Sequence, residues 1–290
     1  MYNKSIFKNI YRNVTAKAIE QLINFRLKYQ LKQLNINGTK WEYLINKIKK
    51  KQLLVLTGAT RFGEAYPINH HLINEYKLIS PTYPCLDTIN QLIDGIAIIL
   101  ETENIYQINM LGNSFGGVIS QCFIRKYPEK VSKLILANTL APDPLNATEL
   151  KLINKLLPIV PKRLIQTINK RKICKSWAEI SVNEQDFWQA YCCELVTLHM
   201  TKKCLINQYK IAEDYCRNYR FTPNDLIDWK GKLLIIESND DQLINEKHRI
   251  TLKKTYPEAQ VHSFQNGGHM PVLTRSEEFL SIINRFLKGS

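Results

Sequence analysis

The chain has 290 residues, of which 44% are hydrophobic and 23% charged, a composition that excludes a disordered or fibrous protein. Its longest apolar runs, such as 53–56 and 96–100, are too short to cross a bilayer, and the opening "MYNKSIFKNIYRN" lacks the apolar core of a signal peptide. The net charge is +14, but residues 1–51 contribute +10 with twelve Lys or Arg and two Glu, so no nucleic-acid partner is expected for the nearly balanced remainder.

The N-terminal segment is predicted to be helical over residues 1–34, because apolar side chains recur there at three- and four-residue steps. These side chains are Phe7, Tyr11, Val14, Ala18, Leu22 and Phe25. A basic amphipathic helix of this kind can contact an anionic membrane or a protein partner. An apolar helix face more often packs on the main domain, and this interpretation is favoured. Residues 1–35 are therefore predicted as a basic N-terminal helical segment.

Short β-prone runs alternate with helical stretches from residue 53 onward. Strands are predicted at 53–57, 76–81, 105–111, 133–139, 232–238 and 259–265, with helices at 86–102, 115–127, 247–255 and 275–288. This alternation is typical of an α/β fold whose parallel sheet is covered by helices on both faces. Residues 143–230 contain no strand-like run, which predicts a helical insertion between the core segments 36–142 and 231–290.

Seven cysteines are present, an odd number with no C-x-x-C pair. Neither a zinc site nor a disulfide framework is expected from this pattern. Packing thiols in a reducing compartment, the cytoplasm or an organelle stroma, are the favoured interpretation, and a secreted protein is not expected. No metal or organic cofactor is expected.

Ser114 lies in the sequence "GNSFG", which has the G-x-S-x-G pattern and stands between a predicted strand and a predicted helix. A serine at such a tight turn adopts a strained backbone conformation that exposes its hydroxyl. The residues two before and two after it crowd each other, so glycine is needed at Gly112 and Gly116. A nucleotide-binding glycine turn would need G-x-G-x-x-G or G-x-x-x-x-G-K-[ST], and neither is present. Ser114 is therefore the candidate nucleophile.

A serine nucleophile needs a base, usually histidine, and the base needs an orienting carboxylate. His269 follows the last predicted strand in "QNGGHMP", at the sheet edge where catalytic groups gather, whereas His262 lies within that strand. Asp240 and Asp241 follow the strand "KLLIIES". We choose Asp241 as the acid and keep Asp240 in reserve; a solvated acidic turn is the non-functional interpretation.

The stretches "GNSFGG", "SNDDQLI" and "GGHMP" resemble the α/β-hydrolase superfamily, and the likeness extends over residues 36–288. In that superfamily the chain order is serine, acid, histidine, which matches the candidate residues here. The resemblance implies an oxyanion hole formed by the backbone N–H of Phe115 and an N–H of the loop after strand 53–57, for which we choose Ala59. Many relatives have His-Gly in this loop, where this chain has Thr57-Gly58.

Two narrower likenesses suggest alternatives. The stretches "LILANTLAPD" and "YPEAQVHSFQNGGHMPVLTRSEEF" are similar to maspardin-like proteins, and "GNSFGG" is similar to carbon–carbon-bond hydrolases of ring-cleavage products. The leading expectation is a serine hydrolase that cleaves an ester, thioester or amide of a small to medium apolar substrate. The alternatives are a non-catalytic binding scaffold and a carbon–carbon-bond hydrolase.

The insertion at 143–230 matches the helical cap of this superfamily in position. It contains four aromatic residues that either line an acyl pocket or form the core of the cap: Trp177, Phe187, Trp188 and Tyr191. The cap-core interpretation is favoured.

Overall fold

An eight-stranded sheet crosses the part of the chain that the computed structural model describes, which is residues 4–48, 50–165, 167, 168, 171 and 182–289. Its strands are β1 (Lys32–Ile36), β2 (Thr39–Ile45), β3 (Gln52–Leu56), β4 (Lys77–Thr82), β5 (Ile108–Asn113), β6 (Val131–Ala137), β7 (Lys232–Ser238) and β8 (Gln260–Phe264). The helices are α1 (Lys4–Ile10), α2 (Ala16–Lys28), α3 (Tyr66–Leu72), α4 (Ile89–Thr102), α5 (Phe115–Lys126), α6 (Asn146–Leu156), α7 (Val182–Glu194), α8 (Lys202–Asn218), α9 (Glu246–Thr255), α10 (Pro271–Thr274) and α11 (Ser276–Lys288).

The strand order is β1-β2-β4-β3-β5-β6-β7-β8, and every pairing from β4 to β8 is parallel. Each of the six predicted strands is present with a shift of a few residues, and the predicted α/β fold class is confirmed. Because the central strands are parallel, the loops after β3, β5, β6, β7 and β8 meet at one edge of the sheet. This edge holds every candidate catalytic residue.

An antiparallel hairpin of β1 and β2 extends the sheet beyond β4 and was not predicted from the sequence. The prediction of helix through residue 34 is wrong at its end, since β1 begins at Lys32. The turn is Asn37-Gly38, with both φ angles positive at 49° and 78°. Asn-Gly between two β-prone runs is a strong hairpin signal, because these residues tolerate the left-handed conformation that the turn requires.

Helices α1 and α2 pack on the α/β domain through the predicted apolar stripe. Leu22 is fully buried, and Tyr11 and Phe25 are almost so, in the same core cluster as side chains of α3 and α11. Thr15 caps α2 by accepting a hydrogen bond from the N–H of Ala18. The apolar stripe therefore packs on the main domain, as the favoured interpretation predicts. Most cations of the segment are exposed to solvent.

A buried charge network joins α2 to two distant parts of the chain. The guanidinium of Arg26 binds both carboxylate oxygens of Glu64, at 2.5 and 2.9 Å, and Glu194 Oε1 at 2.9 Å. Tyr11 donates a hydrogen bond to Glu194, and Tyr191 donates one to Glu64. Glu64 belongs to the loop after β3, and Glu194 ends α7 with its side chain completely buried. The network therefore fastens the N-terminal helices to the core and to the insertion at once.

Acid should destabilise the protein through His70 on α3. Burial, and then the charge of neighbouring His71, lower the pKa of His70 to about 4, against the opposing effect of its hydrogen bond to the Tyr66 carbonyl. Since the unfolded chain takes up this proton near pH 6.5 and the folded chain only near pH 4, stability falls as the pH drops between these values. We expect urea unfolding to show about 1–2 kcal/mol less stability near pH 5 than near pH 7 from this group.

A His70→Gln variant, which cannot take up the proton, should lose less stability than the natural protein over the same pH interval. Identical pH dependence in the two proteins would contradict this assignment.

Cys85, in the loop after β4, and Cys204, in α8, form a disulfide. The prediction that the cysteines are unpaired thiols is wrong at these two positions, because a count cannot show which residues the fold brings together. Cys122, Cys193 and Cys216 are free thiols, and Cys174 lies outside the described residues. The disulfide also weakens the argument for a reducing compartment, which rested on unpaired cysteines.

The segment between β6 and β7, here called the cap segment (residues 143–230), contains α6, α7 and α8. α8 lies against α6 and α4, and Tyr215 donates a hydrogen bond to the Leu140 carbonyl just after β6. The cap segment is thereby anchored at the sheet edge that holds the candidate catalytic residues. Within the described residues, no helix combines the length and the apolar character needed to cross a membrane.

Candidate active site

Ser114 lies at the turn between β5 and α5 and has φ 52° and ψ −118°, outside the conformations that a non-glycine residue normally adopts. The turn closes only around glycines. A Cβ on Gly112 would lie 2.8 Å from the Gly116 carbonyl oxygen, and a Cβ on Gly116 would lie 2.0 Å from the Leu56 carbonyl oxygen. The steric reason inferred from the G-x-S-x-G spacing therefore holds in the structure.

The conformation at this turn leaves Ser114 accessible. In the fully described stretch 111–124, it is the only residue that is not buried. Its own N–H donates to the Ala137 carbonyl at 2.9 Å, and its carbonyl accepts a hydrogen bond from Thr139 Oγ1 at 2.8 Å. The backbone is thus held on both sides, while the residue keeps part of its surface exposed.

His269, in the loop after β8, lies between the serine and an aspartate. Its Nε2 is 3.1 Å from Ser114 Oγ, and its Nδ1 is 2.9 Å from Asp241 Oδ2. Both His269 and Asp241 are buried. The structure therefore brings together the three residues that the sequence reading chose, in the geometry of a nucleophile, a base and an orienting acid.

The two adjacent aspartates have different partners. Asp241 Oδ1 accepts hydrogen bonds from the N–H groups of Leu243 and Ile244, at 2.8 and 3.0 Å. Asp240 instead accepts the N–H groups of Gly267 and Gly268 and so braces the loop before His269. The structure places Asp241, and not the reserve residue Asp240, against the imidazole.

The environment keeps Asp241 ionised. Burial alone would raise the pKa of its carboxyl, but the hydrogen bond and charge of His269 act in the opposite direction. Hydrogen bonds from Asn138 and Ile244 add to this effect, and the pKa ends below its ordinary value. A carboxylate in this state holds the imidazole proton on Nδ1 and leaves Nε2 free to accept a proton from serine.

Asn138 supports the acid and was missed in the sequence reading. It follows β6 in a left-handed conformation with φ 45°, and its Nδ2 lies 3.0 Å from Asp241 Oδ2 and 3.2 Å from the Gly268 carbonyl oxygen. It therefore links the acid to the histidine loop. The predicted strand 133–139 included Asn138, whereas β6 ends at Ala137 and leaves Asn138 at the same sheet edge as the other candidates.

The candidate oxyanion loop passes beside the serine. A Cβ at Gly58 would lie 3.3 Å from the Cβ of Ser114, so this loop is in contact range of the nucleophile. Ala59 follows directly, and its backbone N–H is the second donor that the sequence reading chose. The first, Phe115 N–H, belongs to the first residue of α5, where helix geometry provides no intrahelical acceptor.

Valine at position 58 should strongly reduce catalysis, because its β-branched side chain would occupy the space beside Ser114 and displace the loop. We expect a loss of about 10²-fold or more in kcat/KM, the size associated with an impaired oxyanion donor. Ester hydrolysis measures the effect, and thermal unfolding checks that the variant folds. Alanine at the same position should give a smaller loss; a fully active Gly58→Val enzyme would show that this loop is not part of the site.

Three of the four aromatic residues predicted for the cap pack into the core of the molecule. The rings of Phe187, Trp188 and Tyr191 lie within 5.9–6.0 Å of Tyr66 in α3, centroid to centroid. Tyr191 is fully buried. These three residues therefore match the cap-core interpretation, and Trp177 lies outside the described residues.

A family model for the α/β-hydrolase fold matches residues 77–276, more than half of the chain. The chain belongs to this family. In structure, a hydrolase from Pseudomonas aeruginosa matches with a TM-score of 0.73 at 14% identity, covering 90% of this chain and 99% of that chain. At this level of identity, the match shows a shared fold.

Two curated relatives are hydrolases. A poly(3-hydroxyalkanoate) depolymerase of Ectopseudomonas oleovorans is 26% identical over 186 residues, 63% of this chain and 61% of the depolymerase. A 2-hydroxy-6-oxo-2,4-heptadienoate hydrolase of Pseudomonas putida is 22% identical over 193 residues, 66% of this chain and 67% of that enzyme. The chain thus matches less than two thirds of the depolymerase. The family and these relatives support a hydrolase as the general activity.

Proposed function

We propose that this protein is a serine hydrolase that cleaves an ester, thioester or amide bond of a small to medium apolar substrate. The observation that carries the proposal is the 3.1 Å separation between Ser114 Oγ and His269 Nε2 at a strained, accessible turn. A hydroxyl becomes an effective nucleophile when a general base lies within this distance and is itself oriented by a carboxylate. Asp241 supplies that carboxylate at 2.9 Å from Nδ1.

In the proposed reaction, Ser114 Oγ attacks the substrate carbonyl carbon while His269 Nε2 accepts the hydroxyl proton. The negative charge that develops on the carbonyl oxygen is stabilised by the backbone N–H groups of Phe115 and Ala59. His269 then returns the proton to the leaving alcohol, thiol or amine, which leaves an acyl-serine. Water repeats the sequence on the acyl-serine, with His269 as base and then acid, and releases a carboxylic acid.

A panel of p-nitrophenyl esters of increasing acyl length tests this function and measures the depth of the acyl pocket. We expect turnover well above that of buffer alone, with a maximum at a short to medium chain. A folded protein that hydrolyses none of these esters or the corresponding thioesters and amides would refute the proposal and favour the non-catalytic binding scaffold.

A carbon–carbon-bond hydrolase is the second candidate, favoured by the relative that is named a 2-hydroxy-6-oxo-2,4-heptadienoate hydrolase. A ring-cleavage dienoate should then be consumed faster than any ester, which is measured by loss of its visible absorbance. Ester turnover without dienoate turnover would reject this candidate.

A further inference from the structure

Exposed apolar side chains are concentrated on one part of the cap segment. Thirteen large apolar side chains are exposed among the described residues, and six of them fall between residues 145 and 168. We call these six the apolar cap stripe: Leu145, Leu152, Leu156, Ile159, Leu164 and Ile168. Single exposed apolar residues are ordinary on a protein surface, whereas a contiguous group marks an interaction site.

Helix α6 gives the stripe its direction. Leu152 and Leu156 lie one turn apart on α6, and Leu145, which directly precedes the helix in helical conformation, is seven residues before Leu152, so these three share one helical face. Ile159 follows in the turn after the helix. The opposite face is already occupied, since Asn154 donates hydrogen bonds to the Tyr209 carbonyl and to Glu213 in α8, and Leu150 packs on the core. The outward apolar face of α6 is therefore distinct from the face that packs α6 on α8 and on the core.

The outward position of the most exposed member is fixed by hydrogen bonds. Ile159 is 77% exposed, and the carbonyls on either side of it, those of Pro158 and Val160, both accept hydrogen bonds from Lys202 Nζ at 2.6 and 2.8 Å. Lys202 thus holds the loop so that the isoleucine side chain projects into solvent.

Cations border the stripe. In the sequence, residues 144–171 carry one acid, Glu149, and six Lys or Arg: Lys151, Lys155, Lys162, Arg163, Lys170 and Arg171. Lys170 lies outside the described residues. Lys151 and Lys155 are exposed one turn apart on α6, and no salt bridge joins either of them to a carboxylate of the described residues. The partner of this surface must therefore combine negative charge with an apolar interior.

We propose that the apolar cap stripe docks onto an anionic lipid surface. Its leucine and isoleucine side chains enter the boundary between headgroups and acyl chains, and the bordering lysine and arginine side chains face the lipid phosphates. A second copy of the chain fits poorly, because a symmetric contact would bring the two sets of cations together. The docking does not depend on the proposed hydrolase activity.

Co-sedimentation with phosphatidylcholine vesicles, with and without phosphatidylglycerol, tests the docking. We expect binding only when phosphatidylglycerol is present, and weaker binding at high salt, where the charges are screened. The double variant Leu152→Glu/Leu156→Glu should bind the vesicles at least about ten-fold more weakly, because it removes apolar contact and adds negative charge. Since both positions are exposed, it should unfold at the same temperature as the natural protein.

Leu27→Glu is the matched control. Leu27 is 67% exposed on the basic helix α2, so the variant introduces the same charge on the other candidate membrane-contacting segment. It should keep vesicle binding. The proposal is overturned if the natural protein binds no phosphatidylglycerol vesicles at low salt, if the double variant binds them equally well, or if Leu27→Glu alone abolishes binding. It is also overturned if size-exclusion chromatography shows that the stripe mediates a dimer and vesicles do not compete with it.

Discussion

Ser114→Ala should lower kcat for ester hydrolysis by about 10⁴-fold or more and should abolish covalent labelling by a fluorophosphonate. The substitution removes the Ser114 Oγ that lies 3.1 Å from His269 Nε2, while the smaller alanine fits the same space. Binding of a substrate analogue should change little, because the hydroxyl acts in the chemical step. Kinetics on the best ester of the panel and mass spectrometry of the labelled protein measure the two effects.

Ser132→Ala is the matched control for labelling, since Ser132 Oγ lies on β6 and donates to Gln107 instead of to a base. It should be labelled like the natural protein. Labelling that persists in Ser114→Ala would refute the assignment of the nucleophile. Absence of labelling in the folded natural protein would contradict the proposed serine hydrolase activity.

The paired aspartates give a second control within the same site. Asp241→Asn should cost nearly as much as the loss of the serine, because an amide can donate to Nδ1 and stabilise the wrong tautomer of His269. Asp240→Asn should cost much less, since it only weakens the brace on Gly267 and Gly268. The reverse order would exchange the roles of the two residues.

Arg26→Ala should destabilise the protein by about 3–5 kcal/mol, the cost of leaving a buried carboxylate without its cation. Glu194 is completely buried and Glu64 nearly so, and both bind the same guanidinium. The loss concerns folding, because the hydrogen bonds of Arg26 to Glu64 and Glu194 fasten α2 to the rest of the chain. Urea unfolding at neutral pH measures it.

Arg12→Ala, which removes an exposed arginine from the turn between α1 and α2, should change stability by less than about 0.5 kcal/mol. In a Glu194→Gln background, the cost of Arg26→Ala should be smaller, since one of the two buried charges is already gone. Equal costs in both backgrounds would mean that the arginine contributes through packing instead of charge.

The sequence predicted the parallel sheet and the residues at its edge because both depend on local patterns. Apolar runs and the G-x-S-x-G spacing report directly on buried strands and on a crowded turn. Only the structure shows that Asp241, and not Asp240, contacts His269. The side chains of adjacent residues point to different neighbours, and the sequence pattern does not indicate which of the two faces the histidine.

Other features depend on contacts between distant parts of the chain. The disulfide joins residues 119 positions apart, and the Arg26–Glu194 pair joins residues 168 positions apart. No local pattern encodes such pairings. The β1–β2 hairpin is different, because its Asn-Gly signal was present in the sequence and the helical periodicity of the preceding residues obscured it.

The network around Arg26 also has a consequence for the order in which the chain folds. Helix α2 is synthesised first, yet Glu194, its partner at the end of α7, follows 168 residues later. A contact between residues so far apart in the sequence forms slowly, because much of the intervening chain must be ordered before the two residues meet. The nascent chain can therefore complete this network only after the cap segment has emerged, whereas the Arg26–Glu64 pair, 38 residues apart, can form earlier.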